Sequence, residues 1–302
     1  MKALIIGYGS IGKRHHEVLS SFSNIKSIDL VTKQNIVDVN CFKSLEDISD
    51  YNIYDYFIVA SETSKHYEQL KFLDNIISGK LIFCEKPLFE TNKSIDIFNN
   101  RVFVGYVLRF HPLLVKLKIL LEKETIISIN AKCGQYLPSW RPSSGYRECY
   151  SAKKSEGGGV LLDLSHEIDY VQWLCGQINN IKSYQVKISD LEIDSDDLTM
   201  LIGQTSKNVF VNISIDYISK KTHRKLLIET FEHTYEADFI SNNLIKKNKT
   251  GIEEIYSFSN LERNYMFEKM HKDVLSEQKT VCNFKEALEV MKTISIVQEQ
   301  NR

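Results

Sequence analysis

A glycine-rich turn close to the N-terminus places the strongest constraint on the fold. Residues 3–6 (ALII) form a short apolar run that stops at Gly7, and apolar residues then recur with helical spacing from Ile11. In the turn, GYGSIG, Gly7 permits a sharp bend, Gly9 lets the backbone approach a pyrophosphate, and Gly12 lets the helix pack closely on the strand. This arrangement predicts a dinucleotide-binding Rossmann unit, and the alternative is a tight turn that binds nothing. The cofactor contacts expected here are Gly7, Gly9, Ser10, Ile11 and Gly12.

The second predicted strand bears on which dinucleotide would bind. IKSIDLV ends about twenty residues after Gly12, where an NAD-preferring fold usually offers an acid to the ribose hydroxyls. This chain offers Thr32 and Lys33 instead, and Asp29 lies inside the strand, too far back to reach the ribose. A hydroxyl followed by a cation suits a 2′-phosphate, so the sequence favours NADP(H) over NAD(H). The alternative is that Lys33 is a solvated loop lysine.

Strand and helix patterns continue to alternate after this point. YDYFIVAS reads as a strand, KHYEQLKFLDNIISG as a helix ending at a glycine C-cap, and KLIFCEKPL as a buried strand. Open parallel sheets bind ligands at the carboxyl ends of their strands, so we expect Ser61, Glu85 and Lys86 at the cofactor. Lys86 beside a nicotinamide could also hydrogen-bond a reacting hydroxyl. The alternative for Lys86 is an exposed lysine at a strand end.

Composition limits the size of the molecule and its partners. The chain has 302 residues, of which 43% are hydrophobic and 25% charged, so two domains are expected. A net charge of -1 gives no global field for nucleic acid or an anionic membrane, which favours a small-molecule partner. The six cysteines include no C-x-x-C pair, so neither a zinc site nor a disulfide framework is expected. Without a signal-peptide pattern or a membrane-length apolar run, we expect a soluble, cytoplasmic protein that binds no metal.

The C-terminal half has a different pattern. Its strand-like runs follow one another without helices between them, which predicts an antiparallel sheet. These runs are IKSYQVKI, LTMLIGQT, NVFVNISIDYI, RKLLIETF and HTYEADFI. A last amphipathic helix, residues 284–298, is expected to pack across the structure.

Four motifs in order resemble one enzyme family. GYGSIGKRH at the start, CEKP at 84–87, GYVLRFHP at 105–112 and GGGVLLDLSHEID at 157–169 are together similar to the glucose-fructose oxidoreductase / inositol dehydrogenase (Gfo/Idh/MocA) family, over Met1 to about Gly176. The resemblance implies an α/β protein: an N-terminal Rossmann domain with a doubly wound parallel sheet, here 1–115, and a C-terminal α+β domain with an open, mostly antiparallel sheet, here 116–302. It also implies NAD(P)-dependent redox chemistry on sugars or polyols. An open sheet invites burial between subunits, so we expect a homodimer or homotetramer.

The same resemblance suggests further site residues. His66 matches a family position near the cofactor, although the proline usual earlier in that segment is Glu62 here. Residues 134–156 are rich in aromatics and cations, which suits a substrate wall for an anionic sugar derivative or nucleotide sugar; the alternative is a surface loop. The candidate substrate residues are Arg109, Tyr136, Trp140, Arg141, Tyr146 and Arg147.

The segment GGGVLLDLSHEID and Lys86 carry the predicted chemistry. His166 would exchange the hydroxyl proton, Asp163 would tune its imidazole, and Lys86 would hold the reacting oxygen. Asp163 and His166 are one residue closer than in most family members, but three steps along one helix still keep both on one face. The glycines would either bring backbone close to a substrate or only loosen the turn into a core helix. Two other functions remain possible: a redox-neutral NAD-dependent glycosidase and a non-catalytic NAD(P)-binding sensor.

Two other groups receive structural interpretations. His15 and His16, in the first predicted helix, are expected to be packing or solvated residues. The acidic run IDSDD at 193–197 resembles a cation loop but lacks the glycine and distal glutamate such a loop needs, so it is interpreted as a turn.

Overall fold

The computed structural model describes the chain except for residues 94, 98, 141–144, 260 and 302. It divides into two compact units. One contains Met1–Phe110 with Glu262–Leu288, and the other His111–Leu261 with Glu289–Arg302. The domain boundary expected between residues 115 and 116 stays a prediction.

The first unit contains a sheet of seven strands among its described residues. Its order is β3-β2-β1-β4-β5-β6-β15, and all neighbours are parallel except β15, which runs antiparallel to β6. The strands are β1 (Lys2–Ile6), β2 (Ser27–Val31), β3 (Cys41–Phe42), β4 (Tyr56–Val59), β5 (Leu81–Cys84), β6 (Arg101–Val104) and β15 (Cys282–Asn283); the helices are α1 (Ser10–Ser20), α2 (Thr63–Ile76) and α6 (Tyr265–Val274). This is the doubly wound Rossmann order, and its direction reverses between β1 and β4. The predicted fold of this part is confirmed.

Burial explains why these segments form a parallel sheet. Every residue of β4 and β5 is buried, as expected for strands covered on both faces. α6, which the sequence did not reveal, places Phe267, Met270 and Val274 in the same apolar core as β1 and α1. The predicted glycine C-cap of α2 is wrong: the helix ends at Ile76, because Ile77 is already extended and Gly79 takes its positive φ of 72° in the following turn.

The second unit is built on an open sheet of eight strands among the described residues. Its order is β14-β13-β12-β11-β7-β10-β9-β8, with every neighbouring pair antiparallel except β10 and β7. The strands are β7 (Ile126–Gly134), β8 (Ile178–Val186), β9 (Leu198–Thr205), β10 (Phe210–Asp216), β11 (His223–Thr230), β12 (His233–Asp238), β13 (Asn243–Asn248) and β14 (Glu253–Ser257); the helices are α3 (Pro112–Leu121), α4 (Val160–Asp163) and α5 (His166–Cys175). The last helix, α7 (Phe284–Gln300), begins in the first unit and continues in the second. The predicted open, mostly antiparallel sheet is confirmed.

Alternating burial along the strands gives this sheet two different faces. In β9, Thr199 and Leu201 are buried, whereas Met200 and Ile202 are exposed. The predicted C-terminal helix is confirmed as α7, and its apolar side chains Ala287, Val290, Met291 and Ile294 are all buried. All six cysteines are free thiols. Of the helices in the described ranges, none has the length and apolarity needed to cross a membrane.

Candidate functional site

The turn between β1 and α1 uses its three glycines differently. Gly7 has a φ of 96°, and a Cβ there would lie 2.6 Å from the Ala60 carbonyl oxygen. A Cβ on Gly12 would lie 2.2 Å from the Gly7 carbonyl oxygen, whereas a Cβ on Gly9 would meet no atom within 4 Å. The predicted sharp bend and close helix packing are therefore present. Gly9, at the N-cap of α1, leaves space where backbone amides face outward, which is the geometry that suits a pyrophosphate.

A cleft of about 840 Å³ opens at this turn. Five of the predicted cofactor residues line it, namely Gly7, Gly9, Thr32, Lys33 and Ser61. The cleft lies at the carboxyl ends of β1, β2 and β4, where the strand order reverses, which is where doubly wound sheets bind nucleotides. Within the described residues, its lining does not include the other candidates Ser10, Ile11, Gly12, His66, Glu85 and Lys86.

The cleft is also lined by Lys43, a lysine that the sequence did not single out. Lys43 Nζ donates to the Asn35 side-chain oxygen at 2.6 Å and to the carbonyl oxygens of Lys33 and Gln34 at 3.3 Å. Lys43 follows β3 and lines the cleft together with Lys33. The thirteen-residue range 31–43 contains both lysines, but only the pairing of β2 with β3 brings them together.

The Asp29 carboxylate is bonded to three side chains of the first unit. Its carboxylate lies 2.8 Å from Lys2 Nζ and accepts hydrogen bonds from Tyr54 Oη at 2.6 Å and Asn40 Nδ2 at 3.0 Å. Burial acts to raise the pKa of Asp29, but these three donors outweigh it and lower that pKa. Asp29 is therefore a structural carboxylate and lies outside the described lining of the cleft.

The segment after β5 is held by buried polar contacts. Glu85 accepts from His15 Nε2 at 2.9 Å and from the Lys86 amide at 3.1 Å. His66 is 1% exposed, with Nδ1 3.1 Å from the Pro87 carbonyl oxygen and Nε2 3.2 Å from the Ser61 carbonyl oxygen. Burial lowers the pKa of His66. His66 thus bridges the segments that follow β4 and β5, which is a structural role.

The second glycine segment is shaped by contacts with its own unit. Gly157 has a φ of 78° and ends a short 3₁₀ helix. A Cβ on Gly158 would lie 2.1 Å from the Tyr150 carbonyl oxygen, and a Cβ on Gly159, where φ is 119°, would lie 2.1 Å from Asp196 Oδ1. Asp196 in turn accepts from the Leu161 amide at 3.0 Å and so caps α4. The acidic run 193–197 therefore fastens the glycine segment, as its interpretation as a turn requires.

Asp163 and His166 do not lie on one helix, so the single-helix expectation is wrong. α4 ends at Asp163, Leu164 leaves helical geometry with φ -100° and ψ 27°, and α5 begins at His166. Asp163 is 5% exposed, and its Oδ2 accepts a hydrogen bond of 2.5 Å from Tyr217 Oη. Burial and the Asp163 charge raise the pKa of Tyr217 well above its ordinary value, so Tyr217 stays a donor.

α5 is fixed to the sheet at its first turn. Arg224 Nε on β11 donates to Glu167 Oε1 at 2.8 Å, and Glu167 is fully buried. Burial acts to lower the pKa of Arg224, but the Glu167 charge outweighs it and raises that pKa. A buried, charge-assisted bond of this kind leaves the neighbouring His166 little freedom to shift along the helix axis.

Two predicted substrate residues lie close to the Asp163–Tyr217 pair. The Leu137 amide donates to the Tyr217 carbonyl oxygen at 3.0 Å, and the Trp140 ring packs edge-on against the Tyr217 ring with centroids 5.3 Å apart. On Tyr136, Lys220 Nζ lies 3.2 Å from the ring centroid. Together, Tyr136, Trp140 and Lys220 give this part of the second unit two aromatic faces and one cation.

The other predicted substrate residues that the structure describes contact other side chains or backbone of the protein. Arg147 forms an exposed ion pair with Glu192, whose amide donates to Tyr146 Oη at 3.3 Å. Arg109 is 2% exposed and bonds Glu286 at 2.9 Å, so its placement supports a structural role rather than the predicted substrate contact. Arg141 lies outside the described residues.

Two site residues, Tyr217 and Lys220, were missed from the sequence. Both follow β10 in the segment DYISKK, and a strand end carrying an aromatic residue and two lysines was the available signal. That signal is weak in a chain with fifteen tyrosines. The pairing of Tyr217 with Asp163 spans 54 residues and follows only from the folded sheet.

Comparison with solved structures shows the same fold along the whole chain. Levoglucosan dehydrogenase in complex with NADH matches with a TM-score of 0.85 at 16% identity, over 99% of this chain and 96% of the other. UDP-N-acetylglucosamine 3-dehydrogenase GnnA from Acidithiobacillus ferrooxidans matches with a TM-score of 0.78 at 15% identity, over 100% and 97%. GenD2 from gentamicin A biosynthesis in complex with NAD matches with a TM-score of 0.78 at 14% identity, over 99% and 93%. No curated protein matches the chain in sequence.

Family models identify both parts of the chain. The model described as "Oxidoreductase family, NAD-binding Rossmann fold" matches residues 1–98, and the C-terminal domain model of the same family matches residues 123–235. Together they cover the nucleotide cleft, the Asp163–Tyr217 pair and most of the second sheet. The chain therefore belongs to the Gfo/Idh/MocA family of NAD-binding oxidoreductases.

Proposed function

We propose that the protein is an NAD(P)-dependent dehydrogenase or reductase that moves a hydride between the nicotinamide and a carbinol or ketone carbon of a sugar-like substrate. The observation that carries the proposal is the junction of α4 and α5. There, buried Asp163 is fixed by Tyr217, and His166 begins the next helix. When bound, NAD(P) supplies or accepts the hydride. The residues of the chain must then bind the substrate and move one proton.

His166 is the proposed proton carrier. An imidazole ordinarily titrates near pH ~6.5, so it can take the hydroxyl proton during oxidation and return it during reduction. Asp163 stabilises the positive charge that this transfer places on the imidazole, and Lys86 holds the reacting oxygen. The Tyr217 hydrogen bond fixes the Asp163 carboxylate in one orientation.

The residues around Tyr217 support the proposed substrate class. The faces of Tyr136 and Trp140 suit a sugar ring, and Lys220 adds a positive charge beside Tyr136. These groups favour an anionic sugar derivative or a nucleotide sugar over a plain polyol. The names of two structural neighbours, UDP-N-acetylglucosamine 3-dehydrogenase and levoglucosan dehydrogenase, suggest two probes: a nucleotide sugar and an uncharged sugar.

The test begins with a thermal-shift screen in the presence of NADH, using UDP-N-acetylglucosamine, other nucleotide sugars and levoglucosan. With a substrate found, His166→Ala and Lys86→Ala should each lower kcat by about 10² or more and leave NADH binding intact. Asp163→Asn should lower kcat by a smaller factor. His233→Ala and Lys225→Ala are the matched controls, because their side chains pair with Glu124 and Asp238 in the second sheet. Near-normal turnover by His166→Ala would overturn the proposal.

Two other functions give different outcomes in the same assays. A redox-neutral glycosidase would release reducing sugar without a net change in NADH. A non-catalytic sensor would bind NADH, turn over no sugar in the screen, and tolerate substitution of Lys86, Asp163 and His166.

For the cofactor, we propose a preference for NADP(H) over NAD(H). Lys33 and Lys43 both line the cleft, whereas the nearby carboxylate of Asp29 is paired with Lys2 and lies outside the described lining. Thr32→Asp should reverse the preference by adding a ribose acceptor and repelling a 2′-phosphate. Titration of both cofactors against both proteins decides it. Tighter NAD(H) binding by the unmodified chain would contradict the preference.

For assembly, we propose a homodimer or homotetramer formed through the outer face of the second sheet. Tyr184, Met200, Ile202 and Phe210 lie together on β8, β9 and β10 and are 73, 44, 57 and 62% exposed. An apolar group of this size on one face is typical of a subunit interface. Ile202→Lys with Phe210→Lys should yield a 35.0 kDa monomer by sedimentation, whereas Val37→Lys should not. A monomeric unmodified protein at micromolar concentration would exclude this assembly.

A further inference from the structure

Four buried polar side chains in the first unit form one continuous chain of hydrogen bonds. Tyr56 Oη lies 2.8 Å from His271 Nδ1, His271 Nε2 lies 2.8 Å from His15 Nδ1, and His15 Nε2 lies 2.9 Å from Glu85 Oε1. The residues come from β4, α6, α1 and the end of β5. Tyr56, His15 and His271 are fully buried, and Glu85 is 8% exposed.

Apolar surroundings make this chain costly unless every polar atom is bonded. The His15 ring packs against Phe83 and Phe267 at centroid distances of 5.2 and 5.5 Å. A buried polar group without a partner costs about 1–3 kcal/mol. Here both nitrogens of each imidazole and the Tyr56 hydroxyl have partners, so the network is fully satisfied.

The direction of the hydrogen bonds follows from the carboxylate. Both Glu85 oxygens accept, one from His15 and one from the Lys86 amide, so His15 must donate from Nε2. The Nδ1 of a neutral His15 then accepts from His271 Nε2, and the Nδ1 of His271 accepts from Tyr56 Oη. Burial, and then the charge that His15 can carry, lower the pKa of His271 well below its ordinary value, so His271 is neutral.

This chain orients groups and does not conduct protons. It ends at the Tyr56 hydroxyl, which is fully buried, so a proton passed along it would have no exit to water at that end. At the other end it reaches Glu85, which is confined: a Cβ on Gly105 would lie 2.8 Å from Glu85 Oε1. The position of the Glu85 carboxylate therefore depends on both His15 and the absence of a side chain at Gly105.

We propose that Tyr56, His271 and His15 are positioning residues for Lys86, which they hold through the Glu85 carboxylate. Glu85 Oε2 accepts the Lys86 amide at 3.1 Å, so the order of the buried chain fixes the backbone from which the Lys86 side chain projects. The catalytic consequence rests on the function proposed above for Lys86. The structural consequence, an amide held by a buried carboxylate, does not depend on it.

Two substitutions of His271 separate positioning from packing. Glutamine can donate from its amide nitrogen to His15 Nδ1 and accept from Tyr56 Oη, which restores the same order of donors and acceptors. Phenylalanine fills the apolar core but neither donates nor accepts. A positioning role therefore predicts that His271→Gln preserves the hold on Lys86 and His271→Phe loses it, whereas a packing role predicts the reverse.

The readout is hydrogen exchange of the Lys86 amide in [¹⁵N]lysine-labelled protein, with its resonance assigned by Lys86→Arg. In His271→Phe this amide should exchange at least about tenfold faster, while the Lys71 amide, in the interior of α2, keeps its rate and reports no general opening. His271→Gln should stay within about threefold of the unmodified protein. If His271→Phe does not fold, Tyr56→Phe, which removes only the hydroxyl, should speed Lys86 exchange in the same direction.

Unchanged Lys86 exchange in the folded His271→Phe variant, or equal acceleration in both His271 variants, would overturn the positioning role. With a substrate in hand, His271→Phe should also lower kcat with the NADH dissociation constant unchanged, and His271→Gln should restore kcat. The exchange results test the positioning role independently of the proposed function. If Lys86→Ala keeps full turnover, the catalytic role of Lys86 fails, while the exchange result still decides whether the buried chain positions it.

Discussion

The two glycine-rich segments look alike in sequence and differ in structure. In GYGSIG, Gly9 has open space where a Cβ would lie, at the mouth of the nucleotide cleft. In GGGV, a Cβ on Gly158 or Gly159 would lie 2.1 Å from atoms of the same unit. The first segment therefore leaves open space beside one of its glycines, whereas the second needs Gly158 and Gly159 for its own packing.

This difference changes how the second motif is interpreted. The glycines at 157–159 do not open a path for a bulky group; they let the chain pass Tyr150 and Asp196 and begin α4 at a fixed point. The proposed chemistry rests on the residues that follow, Asp163 and His166. A glycine motif thus indicates close approach, and only the structure shows whether the approaching group is a ligand or the protein itself.

The largest expected effect is the loss of stability caused by a substitution in the second glycine segment. Gly159→Ala combines a positive φ with overlap against the Asp196 carboxylate, and should lower the free energy of unfolding by about 3 kcal/mol. Urea denaturation measures it from the midpoint at constant m-value. Gly145→Ala is the matched control, because Gly145 has a negative φ and no atom within 4 Å of a Cβ, and should change stability by less than about 0.5 kcal/mol. If Gly159→Ala and Gly145→Ala are equally stable, the second glycine segment does not need its glycines for packing, and the two segments do not differ in the way described.

Gly9→Ala should show the opposite profile. The methyl group meets no protein atom, so stability should fall by no more than about 1 kcal/mol, the cost of alanine at an N-cap. The same methyl group occupies space proposed for the pyrophosphate, so the NADH dissociation constant should rise about tenfold, equivalent to about 1.4 kcal/mol. Fluorescence titration of NADH checks it, with Gly145→Ala again as the control. An unchanged dissociation constant would mean that the cofactor does not approach Gly9.

The sequence predicts the local secondary structure and misses contacts between residues that are far apart in the chain. LTMLIGQT coincides with β9 and the C-terminal helix begins at the predicted residue, because alternating or helical apolar spacing reports which face of each element is buried. The glycine roles at Gly7 and Gly12 follow from a turn whose contacts lie within a few residues and the neighbouring strand. No periodicity reports which elements meet, so the pairs Tyr217–Asp163 and His15–His271, 54 and 256 residues apart, were beyond reach. The break at Leu164 was missed because its apolar spacing is compatible with one continuous helix.

The smallest expected effect concerns the residues directly after the second glycine segment. Tyr217→Phe keeps the ring against Trp140 and removes the donor to Asp163, so the free energy of unfolding should fall by about 1 kcal/mol. Turnover should fall several-fold, because the carboxylate behind His166 loses one of the contacts that orient it, while NADH binding in the first unit stays unchanged. If the two glycine segments act independently, a change beside α4 leaves the cleft at Gly9 intact. A loss of NADH affinity in Tyr217→Phe would therefore show that they are not independent.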